Sequence, residues 1–180
     1  MKKILLVLGI FVLMLQGCSV GNRKDYTEKV KQYQAYYETI LDQDKFQKSS
    51  RYFDIRADFQ KVKDEYVYEV IVDNPKIAMY DVKILVIEDD TEFNEDEFMP
   101  VVGIFENKEF HLIPGQVRNE AGYMSGFQLL GETKNPQVKL KVLVSFNDYR
   151  KLETYYEFIE IEFDEKEEKK EDKKEETKEK

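Results

Sequence analysis

The chain has very few of the residues that build common catalytic and metal centres. Its 180 residues include one cysteine, Cys18, and one histidine, His111. A Ser-His-Asp triad needs a histidine within reach of a nucleophile and an orienting acid, and a zinc site needs several Cys or His ligands at short spacing. The sequence therefore predicts no cofactor and no metal, and His111 is interpreted as a surface residue of a strand.

Other absences exclude nucleotides and nucleic acids as partners. The eight glycines are scattered and form no phosphate-binding loop. The formal net charge is −9, and no basic stripe with interleaved aromatic residues is present. Aromatic residues nevertheless make up 13% of the chain, all of them Tyr or Phe. That content is too high for a disordered chain, so we expect a folded domain.

The N-terminus has the organisation of a secretory signal. Met1-Lys2-Lys3 precedes an apolar run, Ile4 to Leu15, that is shorter than the roughly 20 residues of a membrane span. The run ends in Leu15-Gln16-Gly17-Cys18, which resembles the lipobox of bacterial lipoproteins. Leu15 stands three positions before the cut, Gly17 just before it and Cys18 just after it, whereas Gln16 departs from the usual small residue.

This resemblance implies a location. Residues 1–17 would be a signal peptide, and Cys18 would carry a diacylglyceryl group and become the first residue of the mature protein. We expect residues 18–24 to be a short lipidated tether that holds the domain on the extracytoplasmic side of the cell membrane. Removing the signal removes two lysines and no acid, which changes the formal net charge from −9 to −11. With its thiol acylated, the mature domain would contain no disulfide.

The next segment, residues 25–48, predicts an amphipathic helix. Its apolar residues recur at helical spacing, and Asp25 followed by Glu28 resembles a capping box. The apolar positions are Tyr26, Val30, Tyr33, Tyr37, Ile40 and Leu41. This tyrosine-rich stripe is interpreted as the face that packs on the domain.

From residue 51 the apolar period changes from 3.6 to 2, which indicates strands. The predicted strands cover residues 53–60, 66–73, 77–88, 101–105, 109–113, 127–131, 138–146 and 152–163. The third is apolar on both faces and should be central in its sheet. The fourth and fifth are predicted to form a hairpin around Asn107-Lys108, and Pro114-Gly115 to centre a type II turn. An apolar phase slip in the last strand suggests a bulge.

Eight short strands without intervening helices favour an antiparallel fold. We therefore predict a mainly β protein in which an immunoglobulin-like β-sandwich, residues 49–163, follows one amphipathic helix. The Cys…Trp…Cys pattern of antibody domains is absent, so the likeness is one of architecture. A partly open barrel is the alternative. The body also resembles small uncharacterised lipoproteins with a sandwich domain, a diffuse likeness that implies no activity.

Two segments are dense in charge. Residues 164–180 alternate pairs of acids and lysines, which places like charges at i,i+4 and predicts a disordered tail. Residues 88–97 contain seven carboxylates, which are the ligands that Ca²⁺ prefers. Glu95 stands where a calcium-binding EF-hand loop needs glycine, so a solvated loop is favoured over a calcium site.

The sequence predicts a location more firmly than an activity. Our main hypothesis is a non-enzymatic, lipid-anchored interaction module that binds a protein or envelope ligand through its loops. The candidate binding residues are Tyr123, Met124 and Phe127, at the end of the loop 116–126. An envelope hydrolase that uses two carboxylates and a purely structural spacer are the alternatives.

Overall fold

A computed structural model describes residues 20–89 and 91–165, and it has three layers. One helix covers a four-stranded sheet, and the other face of that sheet packs on a three-stranded sheet. The predicted signal peptide, Cys18 and all but the first two residues of the predicted disordered tail lie outside the described residues, and so does Asp90. The predicted β-sandwich with one preceding helix is confirmed.

The helix, α1, spans Val20–Leu41. It therefore includes most of the segment expected to be a tether and ends several residues before position 48. Its end is marked by a tightened last turn, in which the Gln43 amide donates to the Ile40 carbonyl at 3.2 Å. No helix in the described part of the chain combines the length and the apolarity needed to cross a bilayer.

Within residues 20–89 and 91–165, nine strands follow the helix. They are β1 (Asp54–Val62), β2 (Glu65–Asp73), β3 (Tyr80–Glu88), β4 (Val101–Val102), β5 (His111–Leu112), β6 (Tyr123–Met124), β7 (Gly126–Thr133), β8 (Gln137–Asn147) and β9 (Thr154–Asp164). One sheet has the order β1-β2-β7 and the other β4-β3-β8-β9, while β5 and β6 form a separate parallel pair.

This order is that of an immunoglobulin-like sandwich. Strands β1, β2 and β7 take the positions of A, B and E, and β3, β8 and β9 those of C, F and G. The two-residue strand β4 lies beside β3, where variable-type domains place C′. The chain therefore reaches this architecture without the usual disulfide and tryptophan.

The central sheet is buried on both faces, as the apolar run of β3 predicts. Val82, Ile84 and Val86 face the other sheet in the larger core. Leu85 and Ile87 face the helix in a second core. The helix supplies Tyr33, Tyr37 and Ile40 to that second core. The tyrosine stripe is therefore a packing face, as its spacing predicts.

The hairpin expected around residues 107–108 is not formed. Strand β4 pairs with β3, and residues 110–112 run beside the start of β3 instead. Met79 and Leu112 exchange two backbone hydrogen bonds, of 2.8 and 2.9 Å. Backbone groups of residues 110–112, which a local hairpin would have paired with residues 101–105, thus find their hydrogen-bond partners at the start of β3.

The bulge expected in the last strand is also absent, because β9 pairs with β8 in continuous register from Thr154 to Asp164. The apolar phase slip in the sequence of β9 arises because both faces of this strand carry apolar side chains that pack in a core. Phe158 packs in the helix-side core, whereas Ile159 packs between the sheets. The register shift lies instead in β3, between Tyr80 and Lys83.

Candidate interaction surface

Four rings form a continuous row at one end of the sandwich. The ring centroids of Tyr149 and Tyr80 are 5.7 Å apart, those of Tyr80 and His111 5.4 Å, and those of His111 and Tyr123 4.9 Å. These spacings are typical of favourable aromatic pairs. We call Tyr149, Tyr80, His111 and Tyr123 the aromatic row.

The exposed end of the row stands on the β8–β9 turn, residues 148–153. Asp148 organises this turn, because its carboxylate accepts hydrogen bonds from the amides of Leu152 at 2.8 Å and Glu153 at 3.3 Å. Lys151 takes a left-handed conformation, with φ at 55°. Tyr149 is 77% exposed and Leu152 76% exposed. Two large apolar side chains are thus presented to solvent by a turn with its own internal hydrogen bonds.

His111 is held within the row as a hydrogen-bond acceptor. Its Nδ1 accepts from the backbone amide of Asp81 at 3.2 Å. Asp81 lies in the irregular start of β3, with φ at 49°. Burial lowers the pKa of His111 from its usual value, against the opposing influence of Glu109. The lowered pKa favours the neutral imidazole, whose ring packs between those of Tyr80 and Tyr123.

Ion pairs flank the row. Lys151 lies 2.6 Å from Glu109, and Lys83 lies 2.7 Å from Asp81. The hydrogen bond from Lys151 lowers the pKa of Glu109. Both members of the Lys151–Glu109 pair are about half exposed, so the pair contributes little to stability. The charge of Lys151, two residues after Tyr149, is thus matched by that of Glu109.

An open groove of about 450 Å³ lies beside the row, between α1 and the segment after β4. Its charged lining comprises five acids and two bases: Asp25, Glu28, Asp81, Glu106, Glu109, Lys29 and Lys108. Lys29 occupies part of the groove wall, where its Nζ donates to the Phe105 carbonyl at 3.0 Å and to the Asn107 side chain.

Hydrolysis by two carboxylates would use groups such as Glu88 and Glu109, whose pKa values are shifted in opposite directions. Such chemistry needs one acid with a raised pKa beside one that stays ionised. In the groove, Glu109 has a lowered pKa. Burial raises the pKa of Glu88, but Glu88 lies at the opposite end of β3. The two carboxyl groups are thus not brought together.

The candidate binding residues separate in the structure. Tyr123 is half-buried and belongs to the aromatic row. Met124 is half-buried and packs against the inter-sheet core. Phe127 is only 6% exposed, and its ring meets that of Phe110 at 5.6 Å. Phe127 therefore contributes to the core rather than to a surface, because strand β7 turns it inward.

Tyr149 and Leu152 are not among the candidate binding residues predicted from the sequence, although a local signal indicates their exposure. Both follow the turn residues Asn147-Asp148, and an apolar side chain on a turn is not covered by a neighbouring strand. Tyr80 had no such signal. It lies within the predicted strand 77–88, and its contact with His111 joins residues that are 31 positions apart in the chain, beside the register shift of β3.

The segment with seven carboxylates, residues 88–97, which we call the acidic loop, is attached to the helix. The ring of Phe93 contacts those of Tyr33 and Tyr37, with centroids 5.9 and 5.7 Å apart. The backbone amide of Met99 donates to the Tyr33 hydroxyl at 2.8 Å. Among residues 20–89 and 91–165, no three or more Cys, His, Asp or Glu side chains are grouped closely enough to hold a metal ion.

Comparison of the chain with protein-family models, with curated proteins and with solved structures finds no match.

Proposed function

We propose that this protein is a lipid-anchored lipoprotein of the cell envelope, and that it acts at the outer face of the membrane as a non-enzymatic interaction module. The surface that meets its partner is the end of the sandwich that carries the aromatic row. One observation carries this proposal. Tyr149 and Leu152 are each more than three-quarters exposed on a turn that Asp148 orders. Exposed aromatic and aliphatic side chains on an ordered support are typical of binding surfaces.

The lipid anchor is supported by the sequence Leu15-Gln16-Gly17-Cys18. Two acyl chains, at about 0.8 kcal/mol per buried CH₂, hold a protein stably on a bilayer. An envelope hydrolase receives less support, because Glu88, whose pKa is raised by burial, lies at the other end of β3 from Glu109 of the groove. A structural spacer also receives less support, because a spacer needs no exposed apolar patch.

Two experiments test the two halves of this proposal in intact cells. The first is metabolic labelling with a fatty-acid probe. The wild-type chain should be labelled and sediment with membranes, whereas Cys18→Ala should carry no label. Equal labelling of both chains contradicts the anchor.

The second places a photo-crosslinking amino acid at position 149 of the lipidated protein. The matched control is position 62, since Val62 is also exposed, at 49%, but lies at the other end of the sandwich. Adducts should form from position 149 and be absent or much weaker from position 62. Equal yields from both positions contradict the assignment of this surface.

A further inference from the structure

We propose that the partner of this surface is the lipid bilayer itself. The β8–β9 turn faces the membrane that carries the anchor, and Tyr149 and Leu152 enter its interface. This inference rests on the acylation of Cys18 in the proposed function. It adds two statements to the proposed function. The domain is oriented with the β8–β9 turn toward the membrane, and the aromatic row contacts lipid.

The first step is the direction of the helix. The Tyr36 hydroxyl is 2.8 Å from that of Ser145, which lies late in β8. Toward its N-terminus the helix reaches the groove, where Asp25 and Glu28 line the same wall as Glu109. Glu109 in turn pairs with Lys151 of the β8–β9 turn. The helix therefore begins at the end of the sandwich where the aromatic row lies.

The second step is the reach of the chain. Val20 is the first residue of α1, and Cys18 is two residues earlier. Two residues span at most about 7 Å. The five helical steps from Val20 to Asp25 add about 7.5 Å. An acylated Cys18 thus holds the beginning of the helix, and with it the β8–β9 turn, close to the bilayer surface.

The third step is the chemistry of Tyr149 and Leu152, which we call the tip of the β8–β9 turn. Tyrosine is enriched at membrane–water interfaces because its ring is apolar and its hydroxyl is polar. Leu152 adds an aliphatic side chain beside it. The turn itself carries two acids, Asp148 and Glu153, and two bases, Arg150 and Lys151. Its formal charge is therefore zero, and the tip can enter the interface without a net negative charge of its own.

The fourth step is the distribution of acidic residues. The acidic loop follows Glu88, which pairs with Leu140 at the end of the sheet away from the β8–β9 turn. Strand β9 also ends there, at Asp164. Anionic phospholipids repel such charges over about a Debye length. An orientation with the aromatic row toward the membrane places the start of the acidic loop on the far side, where this repulsion is smallest. The groove beside the row, with five acids and two bases, stays on the near side.

The absence of tryptophan from the chain provides a specific test. Tyr149→Trp and Leu152→Trp each introduce a single fluorescent reporter at the tip, and Val62→Trp introduces one at the opposite end. The full-length acylated proteins are placed on vesicles of phosphatidylcholine and phosphatidylglycerol, with or without brominated phosphatidylcholine. Flotation measures anchoring in the same samples, and thermal melting verifies that each variant is folded.

Both tip reporters should show blue-shifted emission and be quenched by brominated lipid more than about twofold, as expected of an interfacial indole, while Val62→Trp keeps its emission. Proteins that float with the vesicles but show equal quenching at all three positions, or none at the tip, overturn this inference and leave the anchor standing. Proteins that do not float overturn the proposed anchor and this inference with it.

Discussion

The Tyr37 hydroxyl donates a 2.8 Å hydrogen bond to the backbone carbonyl of Thr91. Tyr37 lies near the C-terminal end of α1, and Thr91 is the first described residue of the acidic loop after Asp90. The bond, together with the packing of Phe93 on Tyr33 and Tyr37, fixes a highly charged loop to the helix. A loop that looks purely solvated in the sequence therefore takes part in the helix-side core.

Removing the Phe93 ring should destabilise the domain. Phe93→Ala loses a half-buried aromatic contact and should cost about 2 kcal/mol, less than a fully buried phenylalanine. Tyr37→Phe should cost about 1 kcal/mol, because the Thr91 carbonyl loses its donor. Urea unfolding measures both. As a control, Leu130→Ala at a 64% exposed position should stay within about 0.5 kcal/mol. If Phe93→Ala behaves like this control, the loop is not attached in solution.

Gly131 should not tolerate a side chain. A Cβ atom there would lie 2.1 Å from Cζ of Tyr68, which is fully buried. Gly131→Ala should therefore destabilise by about 1–3 kcal/mol through overpacking, as measured by urea unfolding. In a Tyr68→Leu background the same substitution should cost less, because the ring is gone. An equal cost in both backgrounds would show that the Tyr68 ring is not the cause.

Stability should fall on mild acidification because of His111. Its pKa is lowered in the folded state, mainly by burial. The unfolded chain therefore takes up the proton first, so this contribution is present above the unfolded pKa of about 6.5 and is lost as pH falls through the folded value. Because the chain has one histidine, a single imidazole signal reports the titration by NMR.

The matched variant for this test is His111→Asn, which keeps an acceptor for the Asp81 amide and does not titrate. Between pH 7 and 5 it should lose less stability than the wild-type chain. A wild-type imidazole that titrates at or above pH 6.5 would contradict the buried, accepting role of this ring.

Two truncated chains, one ending after Glu165 and one after Phe163, should differ in thermal stability. Glu165 donates its amide to the Pro136 carbonyl at 3.1 Å, and Gln137 bonds the Asp164 carboxylate at 2.6 Å. Ending the chain after Glu165 should leave the melting temperature unchanged. Ending it after Phe163 removes both bonds and should cost about 1 kcal/mol. Calorimetry on the two truncated chains compares them directly, and identical melting would show that neither bond stabilises the domain.

Local patterns in the sequence predict most of the elements. The strands β1, β2 and β8 begin and end within about two residues of the positions that the alternating apolar pattern predicts. Strand β3, which is apolar on both faces, lies in the interior of its sheet as expected. The turn at Pro114-Gly115 also forms, with φ of Gly115 at 70° and a 3.1 Å hydrogen bond from Gln116 to Ile113. Burial on one face repeats every second residue of a strand, so this information is present in the chain itself.

The sequence by itself determined the fold class, the packing face of the helix and the prediction of a lipid anchor, because each depends on residues close together in the chain. Only the tertiary structure decided the candidate site. Tyr80, His111, Tyr123 and Tyr149 come from four separate segments, and no local period relates them. Their row arises because the irregular start of β3, the β5–β6 pair and the β8–β9 turn meet at one end of the sandwich. The same long-range packing places Phe127 inside and brings the beginning of α1 to that end.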